Sequence, residues 1–209
     1  MKLFCTLSSP FTRKVLVLAH ELDLQEQLEI EYAHPFEDGN TLPMINPLRK
    51  VPALMLDEPL GEMGRLIIDS PVICEYLSSM QKDPAEIPST MHLMERTLEA
   101  ISDGIMDVSV ARTLEKRRPP SHQIPAMLQR HADNIHRTLK WLEDRPGLLV
   151  VPEEDPLRIG VIALGCALSY LGFRHEEMKW ESSYPSLLAF YTKIKSRKSF
   201  QCTELKDTS

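Results

Sequence analysis

Short apolar runs and helical ones alternate through the first part of the chain. Leu3-Phe4-Cys5 reads as a buried strand, and residues 10–24 then carry Phe11, Val15, Leu18, Ala19 and Leu22 at the spacing of one helical face. Leu28-Glu29-Ile30-Glu31-Tyr32 alternates strictly, which predicts a strand with one wet face. Residues 35–46 are mixed and suit a loop with an irregular helix. Residues 51–56 predict a strand, 57–64 a turn, 66–68 a last strand, and 71–80 a helix with Val72, Ile73, Tyr76 and Leu77 on one side. The order β-α-β-α-β-β-α over residues 1–80 implies a mixed sheet covered by helices.

After Met80 the strand pattern stops. Residues 81–88 are polar, hold Pro84 and Pro88, and read as a linker. Beyond them lie long amphipathic stretches at 89–116, 121–144 and 185–198, with an apolar run from Ile159 between the last two. Pro119-Pro120, Pro146-Gly147 and the Pro152 to Pro156 segment separate them, as helix stops and starts should. Residues 89–209 therefore predict an all-α domain.

Composition narrows the partners. The chain has 209 residues, 43% hydrophobic and 26% charged, which is globular and long enough for one or two domains. Its net charge of −6 provides no cationic footprint for displacing counterions from phosphates, so no nucleic-acid partner is expected. Lys116-Arg117-Arg118 is the basic cluster, and it reads as a solvated helix end. The longest uncharged stretch, residues 159–173, falls short of the roughly twenty residues a bilayer requires, so it predicts a buried core helix and no membrane partner. The apolar run at the N-terminus is too short for a signal-peptide core and is broken by Ser8-Ser9-Pro10. Cys5, Cys74, Cys166 and Cys202 are scattered without a CxxC pair, and no histidine stands at ligand spacing from them. The expectation is a cytoplasmic protein with structural thiols and no metal.

Two helix starts hold the candidate chemistry. Ser9-Pro10 and Ser70-Pro71 each follow an apolar strand, with Ser at the expected N-cap and Pro at the first helical position. A helix start carries unpaired N–H groups and about half a positive charge, so two at one sheet edge can hold a ligand with two anionic groups. The same serines also serve as ordinary caps. Between them, a cis Val51-Pro52 bond would turn the Val51 N–H and C=O outward, to pair with a peptide-like ligand as an added strand does.

Three segments, in order and at matching spacing, carry a resemblance: Ser9-Pro10-Phe11-Thr12-Arg13-Lys14-Val15, Asn46-Pro47-Leu48-Arg49-Lys50-Val51-Pro52-Ala53-Leu54, and Asp69-Ser70-Pro71 with Ile73, Glu75, Tyr76 and Leu77. Together with residues 165–174, Tyr184-Pro185 and Ser199-Phe200, they make the chain similar to the cytosolic glutathione transferases, in the bacterial branch whose motif begins Ser-Pro-Phe. The resemblance implies a thioredoxin-like N-terminal domain, an all-α C-terminal domain and a homodimer. It implies glutathione as co-substrate, no metal, and conjugation to a hydrophobic electrophile.

By the same resemblance, Ser9 faces the sulfur as the catalytic hydroxyl, with Ser8 as the other candidate. Phe11 lines the mouth, Lys50 reaches the glycine carboxylate and Val51 pairs with the cysteinyl backbone. Asp69 meets the γ-glutamyl amine, and Ser70 with its helix takes the γ-glutamyl carboxylate. A thiol with a pKa near 8.5 is a few per cent ionised at neutral pH, and a hydroxyl donor with first-turn N–H groups favours its anion. Cysteine at position 9 would imply thiol exchange, whereas this chain has serine there and Cys5 on the preceding strand. Thr12, Met106, Asp107, Val110 and Phe173 are the candidates for the electrophile pocket. Met106 and Val110 read equally well as helix–helix core, and Trp141 and Trp180 read as packing residues.

Two departures from the pattern stand out. Arg158 and Val161 replace the capping box of the helix near Ile159, with Asp155 as a substitute cap, which predicts a weaker or shifted helix start. Arg49 replaces the glycine of relatives; as a second cation beside Lys50 it either aids a carboxylate or points to solvent, and solvent is the favoured expectation. A binding or regulatory protein of the same fold without turnover, or a glutathione-dependent peroxidase or thiol reductase, are the competing readings.

Overall fold

The computed structural model describes residues 1–37, 39, 41–81, 88–153 and 156–207. Two compact units emerge, one of Met1–Glu86 with Lys198–Ser209 and one of Ile87–Arg197. The C-terminal tail, which the sequence pattern assigned to the helical domain, belongs to the first unit. Residues 82–87 of the expected linker and the substitute cap Asp155 lie outside the described residues.

In the first unit the order is β1 (Lys2–Cys5), α1 (Pro10–Glu21), β2 (Glu29–Tyr32), α2 (Leu42–Ile45), β3 (Ala53–Met55), β4 (Leu66–Ile67) and α3 (Ser70–Ser79), with α9 (Lys198–Gln201) returning at the end. The sheet order is β2-β1-β3-β4, with β1 and β2 parallel and the other pairs antiparallel. This is a thioredoxin-like arrangement. Alternation in β1 and β3 sends Phe4 and Ala53 to one face, where they bury with Ala33 and Leu42. Helices α1 and α3 pack against each other, and Leu3, Cys5, Leu54, Val15, Leu18, Ile73 and Leu77 are buried in this unit.

Two expectations change here. β2 is an edge strand and is exposed along its whole length, Ile30 included, so the expected dry face of this strand is absent. Lys2 of β1 forms cross-strand ion pairs with Glu29 and Glu31 of β2 at 3.0 and 3.6 Å. Helix α1 ends at Glu21, short of Leu24, because Asp23 turns the chain at φ +55°.

The second unit contains α4 (Ser89–Arg117), α5 (Pro125–Glu143), α6 (Ile159–Arg174), α7 (Trp180–Ser183) and α8 (Pro185–Lys195). The apolar run becomes α6, buried over nearly its whole circumference and packed on α4. The expected cap box is indeed missing, since Arg158 makes no side-chain cap bond. Glu95 of α4 replaces it: its Oε2 accepts the Gly160 N–H at 3.0 Å, with Arg158 at 3.9 Å. The approach is so close that a Cβ on Gly160 would stand 2.7 Å from Glu95 Oε2 and 2.8 Å from its carbonyl oxygen. Helix α8 is served likewise by Glu143, whose carboxylate accepts the N–H groups of Ser186 and Leu187 at 2.8 and 2.9 Å.

Trp180 is buried, as a packing residue should be. Trp141 is 39% exposed, with the Arg145 guanidinium 3.9 Å above its ring. Together with Leu93, Met94, Ile101 and Leu148 it lines an apolar groove of about 500 Å³ in this unit. Among the described residues, no helix is long and apolar enough to cross a membrane.

Candidate functional site

Register brings the three motif segments of the first unit to one sheet edge. Phe4 of β1 pairs with Ala53 of β3, and Leu54 pairs with Ile67 of β4. The residues leaving β1, entering β3 and leaving β4 therefore share the same end of the sheet. These are the turn to Ser9, the Lys50-Val51-Pro52 segment, and Asp69-Ser70.

Ser9 is the N-cap of α1, with extended backbone and its Oγ accepting the Thr12 N–H at 3.2 Å. Pro10 fills the first helical position and supplies no N–H. The anion site is thus leaner than the sequence suggested: the proline ring and the cap remove two of the first three donors. Phe11, half-buried, keeps the remaining first-turn N–H. A hydroxyl that accepts a cap bond still has its own proton to give, so this helix end has two donors, the Ser9 Oγ–H and the Phe11 N–H. Ser8 makes interactions of its own and does not take the cap position.

The second helix start differs from its expected form. The Asp69 carbonyl accepts the Ile73 N–H at 3.0 Å, so Asp69 is the N-cap of α3, Ser70 its first residue and Pro71 its second. Asp69 makes no side-chain cap bond and its carboxylate is exposed, whereas Ser70 is 2% exposed. The Ile68–Asp69 bond is cis, as is Val51–Pro52.

The segment before Pro52 is organised by a residue to which the sequence reading gave no role. Buried Asn46 donates from Nδ2 to the Lys50 carbonyl at 2.8 Å, and its Oδ1 accepts the Leu48 N–H at 3.0 Å. Its own carbonyl accepts the Arg49 N–H at 2.8 Å. Lys50 is left exposed and Val51 half-buried at the site edge. Arg49 does not point to solvent. Its φ is +50°, the left-handed region that favours glycine, and its Nη2 donates to the Glu37 carbonyl at 2.8 Å. That backbone conformation accounts for the glycine of relatives.

The pocket candidates divide. Met106, at 0% exposure, is part of the second unit's core, and Thr12, buried at 1%, has its N–H committed to the Ser9 cap. Asp107 is exposed on α4, and Val110 and Phe173 are half-buried. The Phe173 ring carries the Arg174 guanidinium at 4.2 Å. Cys5 is buried, and desolvation pushes its thiol up to about 12. Among the described residues, no group of three or more His, Cys, Asp or Glu is placed to hold a metal ion.

Known proteins are similar to this chain in sequence and fold. The family model described as glutathione S-transferase, N-terminal domain, matches residues 8–80. YibF of Escherichia coli (strain K12), an uncharacterised GST-like protein, is 35% identical over 210 residues, covering 98% of each chain. The chain belongs to the glutathione S-transferase family. A glutathione transferase family member from Pseudomonas fluorescens Pf-5, solved with bound glutathione, is 33% identical and superposes with a TM-score of 0.89 over 99% of both chains. A glutathione S-transferase from Methylobacillus flagellatus, also solved with glutathione, is 28% identical with a TM-score of 0.86, over 98% of this chain and 99% of that one. The glutathione S-transferase fold, with its thioredoxin-like sheet and following helical unit, is therefore shared along the whole length.

Proposed function

We propose that the protein is a glutathione transferase that binds glutathione at this edge of the first unit, keeps its sulfur ionised and joins it to a hydrophobic electrophile. The observation that carries the reading is the shared end of the sheet: the Ser9 hydroxyl at a helix start, Val51 directly before Pro52 at the entry to β3, and Asp69-Ser70 at a second helix start. Two strand spacings span about 10 Å, and three extended residues reach about 10 Å, so one tripeptide fits along the edge. In this reading the Ser9 hydroxyl donates to the thiolate. Val51 pairs with the cysteinyl main chain, and Lys50 attracts the glycine carboxylate. Asp69 attracts the γ-glutamyl amine, Ser70 and the first turn of α3 take its carboxylate, and Phe11 lines the mouth. Asp107, Val110 and Phe173 are the candidates retained for the electrophile side.

The reaction needs no covalent enzyme intermediate. Lowering the thiol pKa by two units corresponds to about 2.7 kcal/mol and makes thiolate the major species. The anion attacks the electrophile and the C–S bond forms; in a substitution the carbon–leaving-group pair departs with the leaving group, and in a conjugate addition the displaced π pair moves onto the activating carbonyl oxygen and the enolate then takes a proton from water. Glutathione-bound relatives support the ligand. Thiol exchange through Cys5 is disfavoured, because a thiol with a pKa of about 12 offers no thiolate at neutral pH.

Retention on immobilised glutathione, followed by a conjugation assay with an aromatic electrophile, tests the proposal. Retention with turnover supports it. Retention without turnover replaces it by a binding or regulatory protein, and failure to bind removes the ligand altogether. The family also implies a homodimer, and the apolar groove beside the exposed Leu93 and Met94 supports a self-association surface. Sedimentation of Leu93→Glu against the unaltered chain decides it: an unchanged mass refutes that surface.

A further inference from the structure

We propose that the C-terminal segment, residues 198–206, is a positioning element for the Ser9 hydroxyl, acting through a main-chain hydrogen bond from Lys206 to Leu7. The chemical consequence rests on the glutathione reading above, while the mechanical one does not.

The segment is tied firmly to the flank of α1. Phe200 is buried, its carbonyl accepts Arg13 Nη2 at 3.0 Å, and the Arg13 guanidinium lies 5.2 Å from its ring. Ser199 Oγ donates to Glu21 at the far end of the same helix, and Thr203 Oγ1 donates to the Ser199 carbonyl. From this anchor the chain runs back to the β1–α1 turn, where the Lys206 N–H donates to the Leu7 carbonyl at 3.1 Å.

Leu7 lies two residues before Ser9, inside the turn closed by Ser9 N–H to the Thr6 carbonyl at 3.3 Å. Packing does not immobilise this turn on the tail side. A cavity of about 60 Å³ lies there, with Leu7, Ser9 and Thr12 on one wall and Cys202 and Glu204 on the other. Thr12 Oγ1 is buried and has no hydrogen-bond partner. With a gap where side chains would otherwise meet, dispersion contacts are weak, and the Lys206–Leu7 bond fixes the turn. A sulfur held by one hydroxyl is sensitive to displacement of about 1 Å. Lys206 acts through its main chain, so its side chain is dispensable.

Two substitutions isolate that bond. Lys206→Pro removes the N–H, and Lys206→Ala keeps it. In the ligand-free protein, amide exchange across residues 7–13 should run several-fold faster in Lys206→Pro and match the unaltered chain in Lys206→Ala. In the glutathione complex, thiolate absorbance against pH should shift upward by about half a pH unit, roughly threefold in ionisation, in Lys206→Pro alone. Affinity for S-methylglutathione, which has no thiol, should not change. Equal exchange in the two variants overturns the proposal, as does faster exchange with an unmoved titration. Parallel loss of S-methylglutathione affinity overturns it too, because the tail would then be a general support. If the unaltered protein fails to bind glutathione, the functional reading falls, and the exchange comparison still decides the clamp. Should Lys206→Pro fail to fold, a chain ending at Glu204 lacks the same donor and is read in the same way.

Discussion

Helices α1 and α6 start on the same physical problem and solve it differently. Each begins with N–H groups that have no carbonyl one turn back. In α1 the answer is local and uncharged: Ser9 caps Thr12, and Pro10 deletes a donor. In α6 it comes from 65 residues away, where Glu95 reaches the Gly160 N–H. The local cap is visible as a dipeptide and does not titrate. The distant one places a carboxylate in a half-buried position, and desolvation raises its pKa despite the opposing Gly160 N–H and Arg158. A cap that leaves its hydroxyl proton free can also do chemistry, whereas a cap enclosed by packing is committed to structure.

The sharpest way to break the comparison is Gly160→Ala. The added methyl would meet the Glu95 carboxylate and main chain well inside contact distance, and overpacking of this kind should cost about 2–3 kcal/mol. Urea unfolding measures it, and a neutral result would mean that α4 and α6 are not closely apposed. Next is Glu95→Ala, expected to lose about 2 kcal/mol by leaving a part-buried N–H unsatisfied. Glu95→Gln keeps an acceptor oxygen and should recover most of that loss. Equal loss in both would assign the effect to charge and not to capping.

At α1 the expected effect is smaller. Ser9→Ala should cost about 1 kcal/mol as a lost cap, and in a glutathione complex it should raise the thiol pKa by about one unit. Ser9→Thr retains both functions. If the alanine variant titrates like the unaltered protein, the hydroxyl does not stabilise the sulfur.

Acid should separate the two regions last and most gently. Buried His175 accepts from Arg112 at Nδ1 and donates from Nε2 to the Ser109 carbonyl, with Thr113, Lys116 and Glu177 alongside. Burial lowers its pKa from the ordinary 6.5, so the unfolded chain takes the proton first. Its stabilising share is complete above about 6.5 and is lost as pH falls toward the lowered value. Glu177, held near 2 by Lys116 and Arg112 against its own desolvation, contributes fully above its usual 4.5 and loses that share as pH falls toward 2. Both tryptophans, Trp141 and Trp180, belong to the helical unit, so fluorescence should report a decline there beginning below about pH 6.5. His175→Gln should flatten its first part, and an unchanged profile would remove His175 as the cause.

Much of the fold could be read along the chain. Alternation and helical periodicity gave the β-α-β-α-β-β-α order, and the uncharged stretch at 159–173 proved to be the buried α6. Ser9 was legible because its Ser-Pro signature is local. Asn46 was not, because its role consists of hydrogen bonds to Lys50 and Leu48 that exist only in the folded loop. Arg49 was misread as solvent-facing because its positive φ and its bond to Glu37 are tertiary facts. Trp141 was misread because the faces of α5 that meet neighbours depend on packing, not on periodicity alone.

The sequence by itself determined where strands and helices form, which short motifs end at helix starts, and which family the chain resembles. These depend on neighbours within a few residues, and local sterics and patterning govern them. Only the tertiary structure decided that three loop ends share one sheet edge, that Glu95 caps α6, and that the C-terminal tail returns to the turn before Ser9. Each of these joins residues far apart in the chain, where strand register and close packing choose the partners and no local preference can.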